Sequence, residues 1–355
     1  MKQKKLSWGK YWPLVIILIV FFSSLMWEHR KASLESVPVT KVDFAMDTVI
    51  QYCFYGENAQ KALEECESLL LELEGKFTCS ETYGSGKGEI LQVNQMAGKK
   101  SVPVSPETFQ LLLRSMELRE QTSGLFDVTI GPLTALWNIM GDSPSVPPQE
   151  EIETALSLVG EGIFLEQDKQ EVYLQREGQR IDLGAVAKGC ACDLLREVCQ
   201  KNGIVKGYLS LGGNMMVLPD SKEMRFGLQN PLNGGEASAI ATFSLEGQTM
   251  ATAGGYERYF EQNGVRYCHI LDPRTGWPAQ TDLLSASVIS EDGALADALS
   301  TALFLMGREK ALAFLENVPY HAVLVDSDRQ VWLYGDIEEK FQFQLLESSG
   351  YRLAE

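Results

Sequence analysis

Basic residues are in short supply in this chain. Its 355 residues include 31 Lys+Arg against 48 Asp+Glu, which gives a formal net charge of −17 at pH 7. Proteins bind nucleic acids through a positively charged face, so this balance argues against a nucleic-acid partner. A phosphate-bearing ligand remains compatible with the charge if a metal ion bridges the negative groups.

Several familiar sequence signatures are also missing. The seven cysteines form no Cys-x-x-Cys pair and their number is odd, so no zinc site or disulfide framework is readable. The chain contains no Rossmann fingerprint, no P-loop, no internal repeat and no low-complexity segment. It is 45% hydrophobic and long enough to bury a sizeable core.

The first 40 residues are typical of a targeting segment. Lysines at positions 2, 4, 5 and 10 precede an apolar run bracketed by Trp12 and Trp27. This pattern favours an uncleaved membrane anchor over residues 11–27, with residues 1–10 in the cytoplasm and the catalytic part outside it. A cleaved signal peptide and a helix that packs on the core are the alternatives. Residues 28–40 then form a linker, and residues 41–345 form one domain.

After residue 40, the predicted secondary-structure elements mix hairpins with helices and do not alternate regularly as βαβ units. It predicts an α+β fold of mixed, largely antiparallel sheets with packed helices. Alternation over residues 42–55 indicates one strand, and residues 172–174 and 179–183 predict a hairpin around Gly178. A helix starts at Ser105 and Pro106.

The strongest local signal is a hairpin followed by a motif with an imidazole. Asn263-Gly264 separates two β-rich runs, and both turn positions require positive φ. The register of a two-residue turn places Arg258 opposite His269, one of three histidines. A neighbouring cation favours the neutral imidazole, the form that can act as a base. The run His-Ile-Leu-Asp-Pro-Arg-Thr-Gly continues to residue 276.

Two further motifs suggest a site for phosphates and a metal ion. Lys188 follows Asp182 across a strand-to-helix junction, where free backbone amides attract anions. Alternatively, Lys188 points to solvent and Asp182 only caps the helix. Asp297 and Thr301 are four residues apart on one helix face, so they could hold Mg²⁺ with ligand phosphates. Alternatively, Asp297 favours the helix dipole and Thr301 bonds back to a carbonyl.

Two glycine-containing segments could contact a flat ligand. Residues 123–133, followed by Trp137, combine glycines with Phe126. Gly212 and Gly213 follow a strand and permit close backbone approach. A helix stop, a core aromatic residue and a tight turn explain the same residues equally well.

Taken together and in order, these segments resemble the ApbE family of FAD:protein FMN transferases. The resemblance runs from about residue 43 to 306, with a weaker tail to about 334. It implies a Mg²⁺-dependent enzyme that cleaves the pyrophosphate of FAD, attaches FMN through its phosphate to a Thr or Ser of a target protein, and releases AMP. The family's motifs imply His269 as the catalytic group and metal ligands at Asp297, Thr301 and the carbonyl of Ala185. They imply FAD contacts at Met46, Leu125, Phe126, Asp127, Asp182, Lys188 and Leu271.

The sequence departs from the family pattern at three places. Asp47 occupies a position that is usually Gly, and Ser300 one that is often a ligating Asp. The tyrosine that stacks on the flavin in some relatives has no clear match, since Ser80 and Tyr83 are both candidates.

Two other activities share these motifs. They are a Mg²⁺-dependent FAD pyrophosphatase and a non-catalytic extracytoplasmic flavin-binding protein. The family suggests that the acceptor is a subunit of a membrane redox complex or an extracytoplasmic flavin reductase. With the anchor, it suggests a catalytic domain attached to the cell membrane on its outer side.

Overall fold

The computed structural model describes residues 37–79, 88–232 and 238–354. The predicted anchor, Ser80 and Tyr83 lie outside these ranges. Within them, no helix is both long enough and apolar enough to cross a membrane. The strands are β1 (Val39–Ala45), β2 (Thr48–Tyr55), β3 (Val102–Pro103), β4 (Ile163–Glu166), β5 (Glu171–Leu174), β6 (Lys206–Leu211), β7 (Asn214–Val217), β8 (Phe226–Gln229), β9 (Ala239–Phe243), β10 (Thr249–Gly254), β11 (Tyr259–Gln262), β12 (Val265–Cys268), β13 (Leu283–Ser290), β14 (His321–Asp326), β15 (Gln330–Tyr334), β16 (Gln344–Leu345) and β17 (Arg352–Leu353). The helices are α1 (Ala59–Phe77), α2 (Glu89–Gln95), α3 (Pro106–Gln121), α4 (Gly131–Trp137), α5 (Gln149–Leu156), α6 (Ala187–Lys201), α7 (Gly293–Met306), α8 (Arg308–Leu315) and α9 (Ile337–Lys340).

A nine-stranded sheet forms the centre of the described structure, in the order β1-β2-β6-β7-β10-β13-β14-β15-β17. Neighbouring strands are antiparallel except β15 and β17, which are parallel. The predicted α+β class with mixed, largely antiparallel sheets is therefore confirmed. The sheet begins at Val39 and includes Arg352 and Leu353, so it extends past both ends of residues 41–345.

Both faces of this sheet are covered. Val288 of β13 joins the main core with the apolar faces of α1, α6 and α7. Its neighbour Ile289 points to a second core shared with β8 and β9. Because side chains alternate along a strand, β13 is buried along almost its whole length.

Two predicted elements differ from the structure. Residues 42–55 form a hairpin, because Met46 and Asp47 take positive φ values of 50° and 57° and reverse the chain. Residues 179–183 are not a strand, and β5 pairs with β3 and β4 instead. The side chain of Asn94 takes the place of a partner strand, since it binds both the N–H and the carbonyl of Ile181.

The β11–β12 hairpin is held against α4 and α5 by an aromatic cluster. The ring of Trp137 lies 5.8 Å from Tyr267 and 5.3 Å from Trp277, measured between centroids. Its indole N–H also donates to the carbonyl of Gly276. These contacts fix both ends of the motif at residues 269–276.

Candidate active site

One cavity brings the predicted motifs together. It has a volume of about 410 Å³, a size suited to a nucleotide-like ligand. It lies where β2, β7 and β10 meet the first turn of α6, the helix α7 and the segment before α4. The predicted site residues that line it are Leu125, Phe126, Asp127, Asp182, Ala185, Lys188, His269, Leu271, Asp297 and Thr301.

Met46 is the predicted contact that is not among the lining residues. Its backbone N–H donates to Glu74, and its side chain packs against the main core. The next two residues, Asp47 and Thr48, line the cavity in its place.

The hairpin sets both the position and the tautomer of His269. The register pairs Tyr259 with Cys268, so Arg258 lies opposite His269 as predicted. The carbonyl of Arg258 lies 3.0 Å from the backbone nitrogen of His269 and 3.2 Å from its Nδ1. Because a carbonyl oxygen only accepts, Nδ1 carries the proton and Nε2 keeps a free lone pair.

The surroundings keep this imidazole neutral. Burial, the charge of Arg258 and, to a smaller extent, that of Lys188 lower the pKa of His269 to about 4, although its hydrogen bond to the Arg258 carbonyl opposes the shift. The imidazole is therefore unprotonated at neutral pH and ready to accept a proton.

A close helix crossing places Asp297 in the cavity. A Cβ at residue 189 would lie 2.1 Å from the carbonyl oxygen of Gly293, and a Cβ at residue 293 would lie 2.5 Å from that of Gly189. Only glycines allow α6 and α7 to approach this closely. At the crossing, the N–H of Gly189 donates to Oδ2 of Asp297 at 2.9 Å.

The oxygen atoms around Asp297 fit a hard cation. Asp297 is buried, and within the described residues it has no ion-pair partner. Thr301 lies one helical turn further along and lines the same cavity, as does Ala185. The hydroxyl of Ser300 donates its proton to the backbone carbonyl of Asp297, so this proton does not point at the cavity. A buried carboxylate without a cationic partner is costly unless a ligand compensates it.

The described ranges contain no group of three or more His, Cys, Asp or Glu side chains able to hold a metal. The oxygen donors named above are one carboxylate, one hydroxyl and one backbone carbonyl. Mg²⁺ is commonly bound by one or two carboxylates plus substrate phosphates, so this set suits a metal carried with a phosphate ligand.

Lys188, in the first turn of α6, and Asp182, in the loop before it, both line the cavity. The Nζ of Lys188 donates to the carbonyl of Gly184 at 3.1 Å, so the side chain folds back over the loop before α6. Asp182 accepts from the N–H of Gly184 and the hydroxyl of Thr134. It therefore shapes the loop that leads into α6.

Part of the cavity wall is apolar. It includes Phe126, Ile130, Trp137 and Leu271, a surface that suits a planar ring. Asp127 in this wall accepts from Arg119 Nε at 2.6 Å and also caps the turn at Thr129. Its carboxylate thus holds the loop while the residue faces the cavity.

Sequence reasoning missed Thr134 and Cys79 among the cavity residues, and it missed the contact between Arg258 and Asp47. Thr134 binds Asp182, and the Arg258 guanidinium donates to the carbonyl of Asp47 at 2.6 Å. Cys79 also lines the cavity. These contacts join residues far apart in the chain, and no local pattern marks them.

The chain matches the model of the ApbE family over residues 46–325. An FAD:protein FMN transferase from Klebsiella pneumoniae is 34% identical over 292 residues, which cover 82% of this chain and 90% of the relative. A protein of the same name from Treponema pallidum is 31% identical, over 76% of this chain and 78% of its own. The crystal structure of an ApbE protein from Thermotoga maritima superposes with a TM-score of 0.74 at 29% identity, covering 88% of this chain and 97% of that one.

Proposed function

The chain belongs to the ApbE family and is an FAD:protein FMN transferase, and we propose that it acts with Mg²⁺ on a Thr or Ser hydroxyl of its acceptor protein. The observation that carries the proposal is the convergence of three groups on one cavity: a neutral imidazole, a lysine and a buried carboxylate that has no ion-pair partner among the described residues. Charge neutralisation and a base are what the attack of a neutral alcohol on a pyrophosphate requires.

Asp297, Thr301 and the carbonyl of Ala185 would hold the metal ion. When bound, Mg²⁺ would neutralise charge on the pyrophosphate and so favour its cleavage. Lys188 adds a positive charge from the chain itself to the same cavity. We assign Leu125, Phe126, Asp127, Asp182 and Leu271 to the binding of FAD, with Met46 acting through the turn it shares with Asp47.

His269 provides the base. Its Nε2 takes the proton of the acceptor hydroxyl while that oxygen forms a bond to the phosphorus of the FMN half. The bond between this phosphorus and the bridging oxygen breaks, and AMP leaves with that oxygen. The Arg258 carbonyl holds Nδ1–H throughout, so the imidazole keeps its orientation.

The test is to incubate the protein with FAD and a candidate acceptor, with and without Mg²⁺. We expect the acceptor mass to rise by that of FMN less one water only when Mg²⁺ is present. An acceptor with the target Thr changed to Ala is the control. AMP release without a change in acceptor mass would indicate a pyrophosphatase instead. Bound FAD without AMP release would indicate a carrier.

We further propose that residues 11–27 anchor the enzyme in the cell membrane with its catalytic domain outside the cytoplasm. The lysines before this run and the tryptophans at its ends support that orientation. A membrane redox subunit or an extracytoplasmic flavin reductase would then be within reach as acceptor. Protease added to cells whose cytoplasmic membrane is intact, but whose outer layers have been made permeable, should digest the catalytic domain. A domain that is protected from the protease would contradict this orientation.

A further inference from the structure

The β6–β7 turn brings one buried amide to the cavity. Gly212 and Gly213 form the turn, and a Cβ on either would meet Thr48 or Thr252 at less than 3 Å. The turn is therefore wedged between β2 and β10. The next residue, Asn214, starts β7 and lines the cavity.

The amide of Asn214 is buried, and its oxygen lacks a hydrogen-bond partner among the described residues. The residue is 1% exposed, and within the described structure its Oδ1 has no hydrogen-bond partner. Leaving a buried acceptor unpaired costs about 1–3 kcal/mol, so native proteins rarely do it without a function. Asn230 shows the usual arrangement, since its Oδ1 accepts from Leu232 N–H and the Tyr351 hydroxyl.

We infer that Asn214 contacts the bound dinucleotide, its Oδ1 accepting a hydrogen bond from an O–H or N–H group of that ligand. The inference rests on the proposed function, because it takes FAD as the molecule in the cavity. Ionised phosphates offer no donor, so the donor within FAD is a ribose hydroxyl, a ribityl hydroxyl, the flavin ring N–H or the adenine amino group.

The experiment compares Asn214→Leu with Asn230→Leu, without acceptor protein. An apolar residue of similar size removes the unpaired oxygen, so Asn214→Leu should leave the ligand-free Tm unchanged or higher. It should raise the Kd for FAD, followed by flavin fluorescence, by roughly tenfold, the equivalent of one lost hydrogen bond. Asn230→Leu should do the reverse, with a lower Tm and an unchanged Kd.

Separate titrations with FMN and ADP locate the donor. If Asn214→Leu raises the Kd for FMN but not for ADP, the donor lies in the flavin half. If it raises the Kd for ADP but not for FMN, the donor lies in the adenosine half. If the affinity for both FMN and ADP is unchanged, the inferred contact is overturned. An unchanged Kd for FAD overturns it as well.

Asn214→Ala provides a second variant should the leucine not fit. If the Asn214 variants lower the Tm without changing the Kd for FAD, Asn214 has a structural role and the inference is overturned. The same holds if Asn214→Leu and Asn214→Ala both lose stability and affinity in parallel. Wild-type protein that binds FAD but transfers no FMN would refute the proposed function alone. Wild-type protein that binds no FAD would refute both.

Discussion

The two regions to which we assign the chemistry are positioned in different ways. His269 is set by a local hairpin, in which a two-residue turn and strand register fix its partner Arg258. Asp297 is set by a crossing of α6 and α7, where Gly189 and Gly293 come from distant parts of the chain. The position of the proposed base therefore depends on local sequence, and that of the oxygens proposed to bind the metal depends on tertiary packing. Substitutions that act on one region alone should separate chemistry from architecture.

The largest effect should come from His269→Ala. The loss of a general base typically costs 10²–10⁴-fold, so we expect FMN transfer to slow by at least about 100-fold. FAD affinity should stay within a few-fold, because the imidazole acts on the acceptor hydroxyl. Single-turnover transfer and FAD titration measure the two quantities. His321→Ala is the matched control, since that histidine lies on β14 outside the cavity lining. Transfer near the wild-type rate in His269→Ala would exclude this residue as the base.

Asp297→Asn tests the second region without disturbing its packing. An amide oxygen can still accept from Gly189 N–H, so the crossing should survive while the charge is lost. We expect the rate to lose its dependence on Mg²⁺ concentration. Asp297→Ala, a second variant, should have the same effect. A Mg²⁺ titration of both variants against wild type gives the answer. A dependence that matches the wild-type curve would show that Asp297 does not hold the metal.

Gly189→Ala tests the packing itself. The new Cβ would fall 2.1 Å from backbone that cannot rotate away, so we expect a stability loss of about 1–3 kcal/mol. Misplacement of Asp297 should also slow transfer, roughly tenfold to 10²-fold. Gly75→Ala in α1 is the matched control, because nothing lies within 4 Å of a Cβ there. Its helix should become slightly more stable. Equal behaviour of the two variants in denaturant unfolding would contradict a tight crossing.

The same contrast explains what the sequence could predict. The β11–β12 hairpin was predictable because Asn263 and Gly264 tolerate the positive φ values that the turn requires. The β1–β2 hairpin was missed because Met46 adopts such a value although Met is not a typical turn residue, and Asp47 alone is a weak signal. The α6–α7 crossing leaves no local pattern, since each glycine is explained only by the other helix. Only the resemblance to the ApbE family predicted that Lys188, His269 and Asp297 belong to one site, because hydrophobic periodicity gives no relation between them.

The smallest effect concerns the acidity of His269. Burial and Arg258 hold the pKa of its imidazole at about 4, so kcat/KM in the wild type should stay flat as pH falls through 6.5. Arg258→Gln removes the cation but keeps the backbone carbonyl that binds Nδ1. The acid limb should then move upward, yet remain below 6.5 because burial, the larger cause, persists. The measurement is kcat/KM against pH at saturating Mg²⁺.

Arg266→Gln on the same hairpin is the control for this shift. Arg266 pairs with Glu261 and lies over the ring of Tyr259, so its loss should leave the acid limb in place. The folded pKa of His269 lies below its unfolded value, so the unfolded chain binds the extra proton as pH falls from 6.5 towards 4. This residue therefore makes the free energy of unfolding decrease over that window. An acid limb that stays unchanged in Arg258→Gln would show that the hairpin orients the imidazole without tuning its charge, and only the geometric half of the comparison would stand.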